Sequence, residues 1–258
     1  MTTPRLQRHT PVPARTLTKV PAVTALFWGV KILTTGMGET TSDYLAHRLD
    51  PVIAVGVAGV LLAASLASQL AARRYVPWIY WTAVVMVSVF GTMAADVLHV
   101  GVGVPYAVST AFFAVVLAAL FVLWFAVEGT LSIHSVRTVR RELFYWATVM
   151  TTFALGTAAG DLTAVTLHLG YLVAGLLFAV LFAIPALGRR PLRLNDVAAF
   201  WAAYIVTRPF GASFADWAGV SHARGGLALG TGPVSLALFA VIIALVAYLT
   251  AAPRTPTH

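Results

Sequence analysis

The stretch FWGVKILTTGMGETTSD, residues 27–43, is the first of four copies of one pattern: an aromatic residue, Trp, nine residues, Gly, four residues, Asp. YWTAVVMVSVFGTMAAD follows at 80–96, YWATVMTTFALGTAAGD at 145–161 and FWAAYIVTRPFGASFAD at 200–216. The shared positions are Trp28, Trp81, Trp146 and Trp201; Gly38, Gly91, Gly156 and Gly211; and Asp43, Asp96, Asp161 and Asp216. Four matches to one spacing define an internal repeat, so any account of the fold must have four equivalent units.

Successive tryptophans lie 53, 65 and 55 residues apart. Each interval holds two apolar helices of about 20 residues with their connections. Working outward, eight apolar segments appear near 21–46, 51–71, 77–98, 104–128, 143–165, 167–187, 196–218 and 232–251, several ending at Pro51, Pro77, Pro105 or Gly188. The expected fold is all-α: a polytopic membrane protein of eight transmembrane helices, built as four tandem two-helix repeats. Each repeat crosses outward through its motif helix and returns through a plainer one. The copies are therefore parallel, with pseudosymmetry about the membrane normal.

Composition agrees with lipid as the solvent. Of 258 residues, 59% are apolar and 10% charged, the mean hydropathy is +0.86, and a soluble domain carries about a quarter charged residues. There is no cysteine, which excludes disulfides, thiolate metal sites and cysteine nucleophiles. The net charge of +8 is spread in short blocks between apolar runs, so no nucleic-acid partner is expected. Assigning alternate loops to alternate sides puts Arg5, Arg8, Arg15, Lys19, Arg73, Arg74, Arg137, Arg140, Arg141, Arg189, Arg190, Arg193 and Arg254 on one side, and only Arg48 and Arg224 on the other. The positive-inside rule then makes both termini cytoplasmic. The expected organisation is a flexible basic tail at 1–19, one transmembrane domain at 20–252 with repeats near 20–72, 73–136, 137–193 and 194–252, and a short tail at 253–258.

The motif, with the opening Lys19-Val20-Pro21 and the run from Phe27 to Glu39, resembles a family of bacterial membrane-anchored proteins with four tandem repeats of unknown function. Each repeat there has two transmembrane regions and a characteristic tryptophan. The resemblance covers about residues 20–250 and implies the eight-helix topology. It implies no activity, so function rests on the residues themselves.

At about 100° per residue, Trp, Gly and Asp of one motif fall within a single sector of a helix. That sector is polar, whereas the return helices are almost featureless, so an inner ring of motif helices within an outer lipid-facing ring is expected. The tryptophans fit an anchoring or packing role and the glycines close helix approach. The aspartates sit near the outer boundary, where they either cap the following helix or form a negative mouth that collects cations. In the first helix Lys31, Thr35, Glu39 and Asp43 recur every fourth residue as one polar stripe. An intramembrane charge costs several kcal/mol unless paired or hydrated, by about +2.5–3.5 kcal/mol on insertion scales.

Arg208 occupies the repeat position of Thr35, so it can approach Glu39 if the first and last repeats are neighbours, leaving Lys31 to another acceptor. Lys31 and Arg208 against Glu39 and the four aspartates leave three uncompensated negative charges. Either a buried ion-pair network or a gate fits this set. His47, His99, His168 and His222 follow the aspartates at irregular offsets and are candidate metal ligands of a borderline divalent ion such as manganese or zinc.

These features point to a small secondary transporter of a cation, either a divalent metal or a proton-coupled substrate. A cation channel and a noncatalytic membrane scaffold are the alternatives. No Walker motif, HExxH or GxSxG is present, so neither an enzyme nor a cofactor is expected, and the partners are the lipid bilayer and a cation.

Overall fold

A computed structural model describes residues 18–188 and 195–251, which contain no strand. The expected basic tail before Thr18, the arginines Arg189, Arg190, Arg193 and Arg254, and the tail at 253–258 lie outside the described residues. Eight α-helices follow in order: α1 (Ala25–Arg48), α2 (Pro51–Ala71), α3 (Pro77–Asp96), α4 (Tyr106–Glu128), α5 (Val139–Asp161), α6 (Gly170–Gly188), α7 (Asp196–Gly219) and α8 (Thr231–Ala251). Local chemistry sets their starts. Thr24, Thr138 and Asn195 accept from Phe27, Arg141 and Val197 backbone N–H groups, and Asp50 caps Val52 and Ile53 at 2.9 and 3.3 Å ahead of Pro51. In the second and third repeats the motif helix continues past its aspartate as a π-helical turn, Val97–Gly101 and Leu162–Thr166.

Among the described residues four spans, Pro51–Ala71, Pro77–His99, Tyr106–Glu128 and Thr231–Ala251, are long and apolar enough to cross a membrane. This narrows the expectation of eight spans recognisable by apolarity. The apolar stretch of α6 is shorter, Gly170–Pro185. Helices α1, α5 and α7 carry Lys31 and Glu39, Glu142, and Arg208 and Asp216 on buried faces, which lowers their hydropathy without exposing those charges. The outward faces of α2, α4, α6 and α8 display Val52, Phe112, Val180 and Leu236, the surface of a membrane protein.

The motif helices form a closed inner ring, each touching the next: α1 on α3, α3 on α5, α5 on α7 and α7 on α1. The return helices form the outer layer. Each packs chiefly against the motif helix of the following repeat, α2 on α3, α4 on α5, α6 on α7 and α8 on α1. No repeat is therefore self-contained, and α8 closes the ring against α1.

The repeated glycines make the closure possible. A Cβ on Gly38 would come within 3.0 Å of Ser88, on Gly91 of Phe153, on Gly156 of Arg208 and on Gly211 of Thr35. Thr35, Ser88, Phe153 and Arg208 all lie seven residues after their tryptophans. Every repeat thus presses its glycine against the same position of the next repeat, around the whole ring. Two hydroxyls at that position add hydrogen bonds: Ser88 Oγ donates to Thr34 O at 2.9 Å and Thr35 Oγ1 to Thr207 O at 3.1 Å.

At the basic end the chain before α1 is tied into the bundle. Lys19 Nζ meets Glu142 Oε2 at 2.6 Å and donates to Leu70 O at 2.9 Å, while Gln69 Nε2 donates to Glu142 Oε1 at 2.9 Å. Both ions are buried, so removing one strands the other. Glu142→Ala is expected to lower the unfolding free energy by about 3–5 kcal/mol, measured by denaturant titration in micelles. An effect below about 1 kcal/mol, the size of an exposed pair, would refute the buried tie.

Candidate functional site

Three layers of side chains cross the ring from the basic end to the acidic end. The first is an aromatic collar built by the repeat itself. Within each motif the aromatic residue meets its tryptophan edge-on, Phe27–Trp28 at 5.1 Å and Tyr80–Trp81, Tyr145–Trp146 and Phe200–Trp201 at 5.2 Å between ring centroids. Each aromatic also packs on the tryptophan of the next repeat, Phe27 on Trp81 at 5.7 Å, Tyr80 on Trp146 at 5.6 Å, Tyr145 on Trp201 at 6.2 Å and Phe200 on Trp28 at 5.6 Å. Tyr80 and Tyr145 share a hydroxyl contact of 2.5 Å inside this collar. Trp81, Trp146 and Trp201 are buried and Trp28 half-buried. The repeated tryptophans are thus core residues packed between helices.

The second layer holds the internal cations. Lys31 is fully buried, and its Nζ has no hydrogen-bond partner among the described residues. It sits instead 4.0 Å from the Phe153 ring centroid and 4.3 Å from that of Tyr204. The acceptor expected for Lys31 is therefore corrected to two aromatic faces, which stabilise a desolvated ammonium by about 2 kcal/mol.

Arg208 behaves as its register predicts, because α1 and α7 are neighbours. Its Nη2 pairs with Glu39 and reaches Thr92 Oγ1 and, at 2.7 Å, Thr157 Oγ1, while Nη1 donates to Thr35 O at 3.3 Å. Glu39, Thr92 and Thr157 occupy one repeat position, eleven residues after Trp28, Trp81 and Trp146. One guanidinium supplied by the fourth repeat is therefore held by the equivalent side chain of each of the other three. That places it near the pseudosymmetry axis.

The third layer is a cavity of about 430 Å³ at the acidic end. Glu39, Asp43, Asp96, Asp161 and Asp216 all line it, together with Arg224. The four aspartates come from four different helices, and fixed spacing from the collar and the glycine contacts brings them to one level. Asp43 and Asp216 lie inside α1 and α7, and Asp96 and Asp161 stand ahead of the π-helical turns without a side-chain capping hydrogen bond. Asp43, Asp96 and Asp161 are half-buried and Asp216 is buried. Along α1 the ladder Lys31, Thr35, Glu39, Asp43 rises about 18 Å at 1.5 Å per residue, linking the second layer to the third.

The histidines do not converge. His47 Nδ1 lies 2.6 Å from Asp43 O, His222 Nδ1 lies 2.8 Å from Gly226 O, and His99 contacts Ser109 Oγ at 3.3 Å beneath the Tyr106 ring. His168 sits in a left-handed turn at φ 55°. Among the described residues no group of three or more His, Asp or Glu side chains is placed to hold a metal ion.

Sequence reasoning misses several residues of the site. Arg224 reads only as part of an outer loop, yet it lines the cavity and its Nη2 donates to Tyr171 Oη at 2.5 Å. Tyr106 and Tyr171, which border the otherwise plain return segments α4 and α6, also line it. Thr92 and Thr157 are legible in the repeat as the counterparts of Glu39. A larger cavity of about 960 Å³ at the basic end, beside Trp28, Phe200 and Asp196, contains none of the repeat aspartates.

Comparison with curated proteins and with solved structures finds no match. A family described as Repeat of Unknown Function (DUF347) matches at residues 26–75, 79–130, 144–188 and 199–255. Those four matches cover most of the sequence and each begins at or near a motif tryptophan, so the chain belongs to the DUF347 repeat family.

Proposed function

We propose that this protein is a secondary transporter of a cation, spanning a bacterial cytoplasmic membrane eight times with both termini in the cytoplasm. The observation that carries the reading is the joining of all four repeat aspartates and Glu39 in one cavity, with Glu39 paired to Arg208. With Glu39 paired to Arg208, four aspartates remain against one guanidinium, Arg224, an excess of three negative charges. Carboxylates removed from bulk water hold such an excess only with cations or protons in residence. A cation entering from the acidic end would meet the aspartates first, then Glu39.

The path onward is closed by Arg208, Lys31 and the aromatic collar. A guanidinium near the axis, bound to three side chains and one carbonyl, favours a coupled, alternating mechanism over an uncoupled channel. Arrival of a cation at Glu39 would compete with Arg208 for the carboxylate and release the plug. That exchange of partners couples binding to opening.

The test is charge movement in proteoliposomes on a solid-supported membrane, with concentration jumps of protons, monovalent and divalent metals, and organic amines. Wild type is expected to give a transient current for at least one cation. The variant with Asn at Asp43, Asp96, Asp161 and Asp216, of matched size-exclusion profile, is expected to give none. Folded wild type silent to the whole panel would overturn transport and leave the scaffold reading.

A further inference from the structure

Five carboxylates in one cavity do not by themselves select a ligand. The second observation is Asp216. It is only 7% exposed, it lines the cavity, and its Oδ1 has no hydrogen-bond partner among the described residues. A buried carboxylate oxygen without a donor is costly, by about 1–3 kcal/mol or more for a charged group, so the site lacks a hydrogen-bond donor that its ligand would bring. A bare metal ion would satisfy that oxygen only by drawing several ligands to about 2.0–2.6 Å of one point. No such grouping exists among the described residues.

The volume also exceeds what an ion needs. A water molecule occupies about 30 Å³ of liquid, whereas the cavity measures about 430 Å³, within the range of sites for small organic molecules. Its walls are of two kinds. The aspartates are distributed over all four motif helices, and the apolar side chains of Ala54, Val55, Met93 and Val97 share the lining with them. Tyr106 and Tyr171 add aromatic rings. The protein already holds its own cations on such rings, Lys31 on Phe153 and Tyr204 at 4.0 and 4.3 Å and Arg224 on Tyr171 at 5.5 Å.

Carboxylates from four helices, apolar side chains and aromatic rings lining one cavity fit a ligand with two ammonium ends and a hydrocarbon spacer. Resting on the transport reading above, we infer that the cavity binds an organic dication of the α,ω-diamine class, one ammonium donating to Asp216 Oδ1 and the other taken by the aspartates of the other motif helices. Two positive charges offset two of the three in excess, and one proton completes the balance. A monoamine of the same length leaves one end unsatisfied and binds more weakly.

Isothermal titration of the purified full chain in micelles tests this with four probes: 1,4-diaminobutane, 1,5-diaminopentane, n-butylamine, and manganese alone. Saturable diamine binding is expected, with butylamine about tenfold weaker or more, the worth of one charged hydrogen bond. Asp216→Asn, which keeps shape and removes charge, is expected to weaken the diamine by a similar factor with no fall in the unliganded melting temperature. Where that variant does not fold, Asp161→Asn, at a half-buried position, takes its place. Saturable manganese binding without diamine binding overturns the diamine and leaves cation transport standing. Equal binding of butylamine and diamine overturns the two-ended site. No binding by any probe overturns the diamine, and the current measurements then decide the fate of the transport reading separately.

Discussion

Arg208→Met is expected to lower the stability of the bundle by about 3–5 kcal/mol, the cost of stranding a buried charge. The guanidinium is fully buried, pairs with Glu39, and also satisfies Thr92, Thr157 and the Thr35 carbonyl. Its removal leaves Glu39, 5% exposed, without its countercharge. Replacing both ions reverses the loss. In Arg208→Met with Glu39→Met no charge is stranded, and the threonines keep their backbone acceptors, Ser88 O at 2.9 Å for Thr92 and Phe153 O at 3.2 Å for Thr157. The double variant is expected to recover more than half of the single-variant loss, since apolar replacement of a buried pair is often neutral. Denaturant titration of the four proteins of this cycle gives the coupling directly. Additive losses would show that the two ions do not support one another. The recovered double variant is also the sharpest functional probe, because it is folded but has no plug. If the Arg208–Glu39 pair couples binding to opening, the variant's cation currents are lost or become uncoupled leaks, whereas a plain packing role for the pair leaves them intact.

Substitution of the ring glycines is expected to be nearly as damaging, for a steric reason. A Cβ on Gly38 meets the Ser88 side chain, and one on Gly211 meets Thr35 and the Ile32 carbonyl, all within 3.0 Å. Overpacking of this kind costs about 1–3 kcal/mol for a methyl group. Gly211→Ala therefore lowers the melting temperature measurably, and Gly211→Leu, which must push α7 away from α1, leaves no monodisperse protein on size exclusion. Gly56 provides the control: it lies on α2, where an added Cβ would meet nothing within 4 Å, so Gly56→Leu is expected to be tolerated. The Gly38 contact offers a stricter check. In the Gly38→Ala background, Ser88→Gly removes the two closest atoms, Oγ and Cβ, and restores part of the lost stability. Equal damage from Gly56→Leu and Gly211→Leu would refute the ring of close contacts.

The four-part symmetry of the site follows from a single register. In every motif the collar aromatic, the contact position seven residues after the tryptophan, the glycine and the aspartate lie at fixed heights on the helix. Glycine-to-contact packing locks adjacent helices at one relative height, so the aspartates at the far end must come level. Lys31, Glu39 and Arg208 depart from this symmetry, each occurring in only one repeat at its position. The aspartates of all four repeats line the cavity, and the unrepeated Glu39 joins it to Arg208.

Much of this was legible in the sequence. Spacing and composition alone determined eight helices, four equivalent units, the polar sector of the motif helices and the register that lets Arg208 reach Glu39, because helix periodicity and the cost of charge in lipid act on the chain locally. The tertiary structure decided what depends on which helix stands beside which. It packed each return helix on the motif helix of the next repeat, set Lys31 on the faces of Phe153 and Tyr204, brought Arg224, Tyr106 and Tyr171 to the aspartates, and kept the histidines apart. A repeat fixes what each unit contains, but two apolar helices pack almost equally well against many neighbours in lipid. Only the closing of the ring, glycine against contact residue, selects one arrangement and with it one cavity.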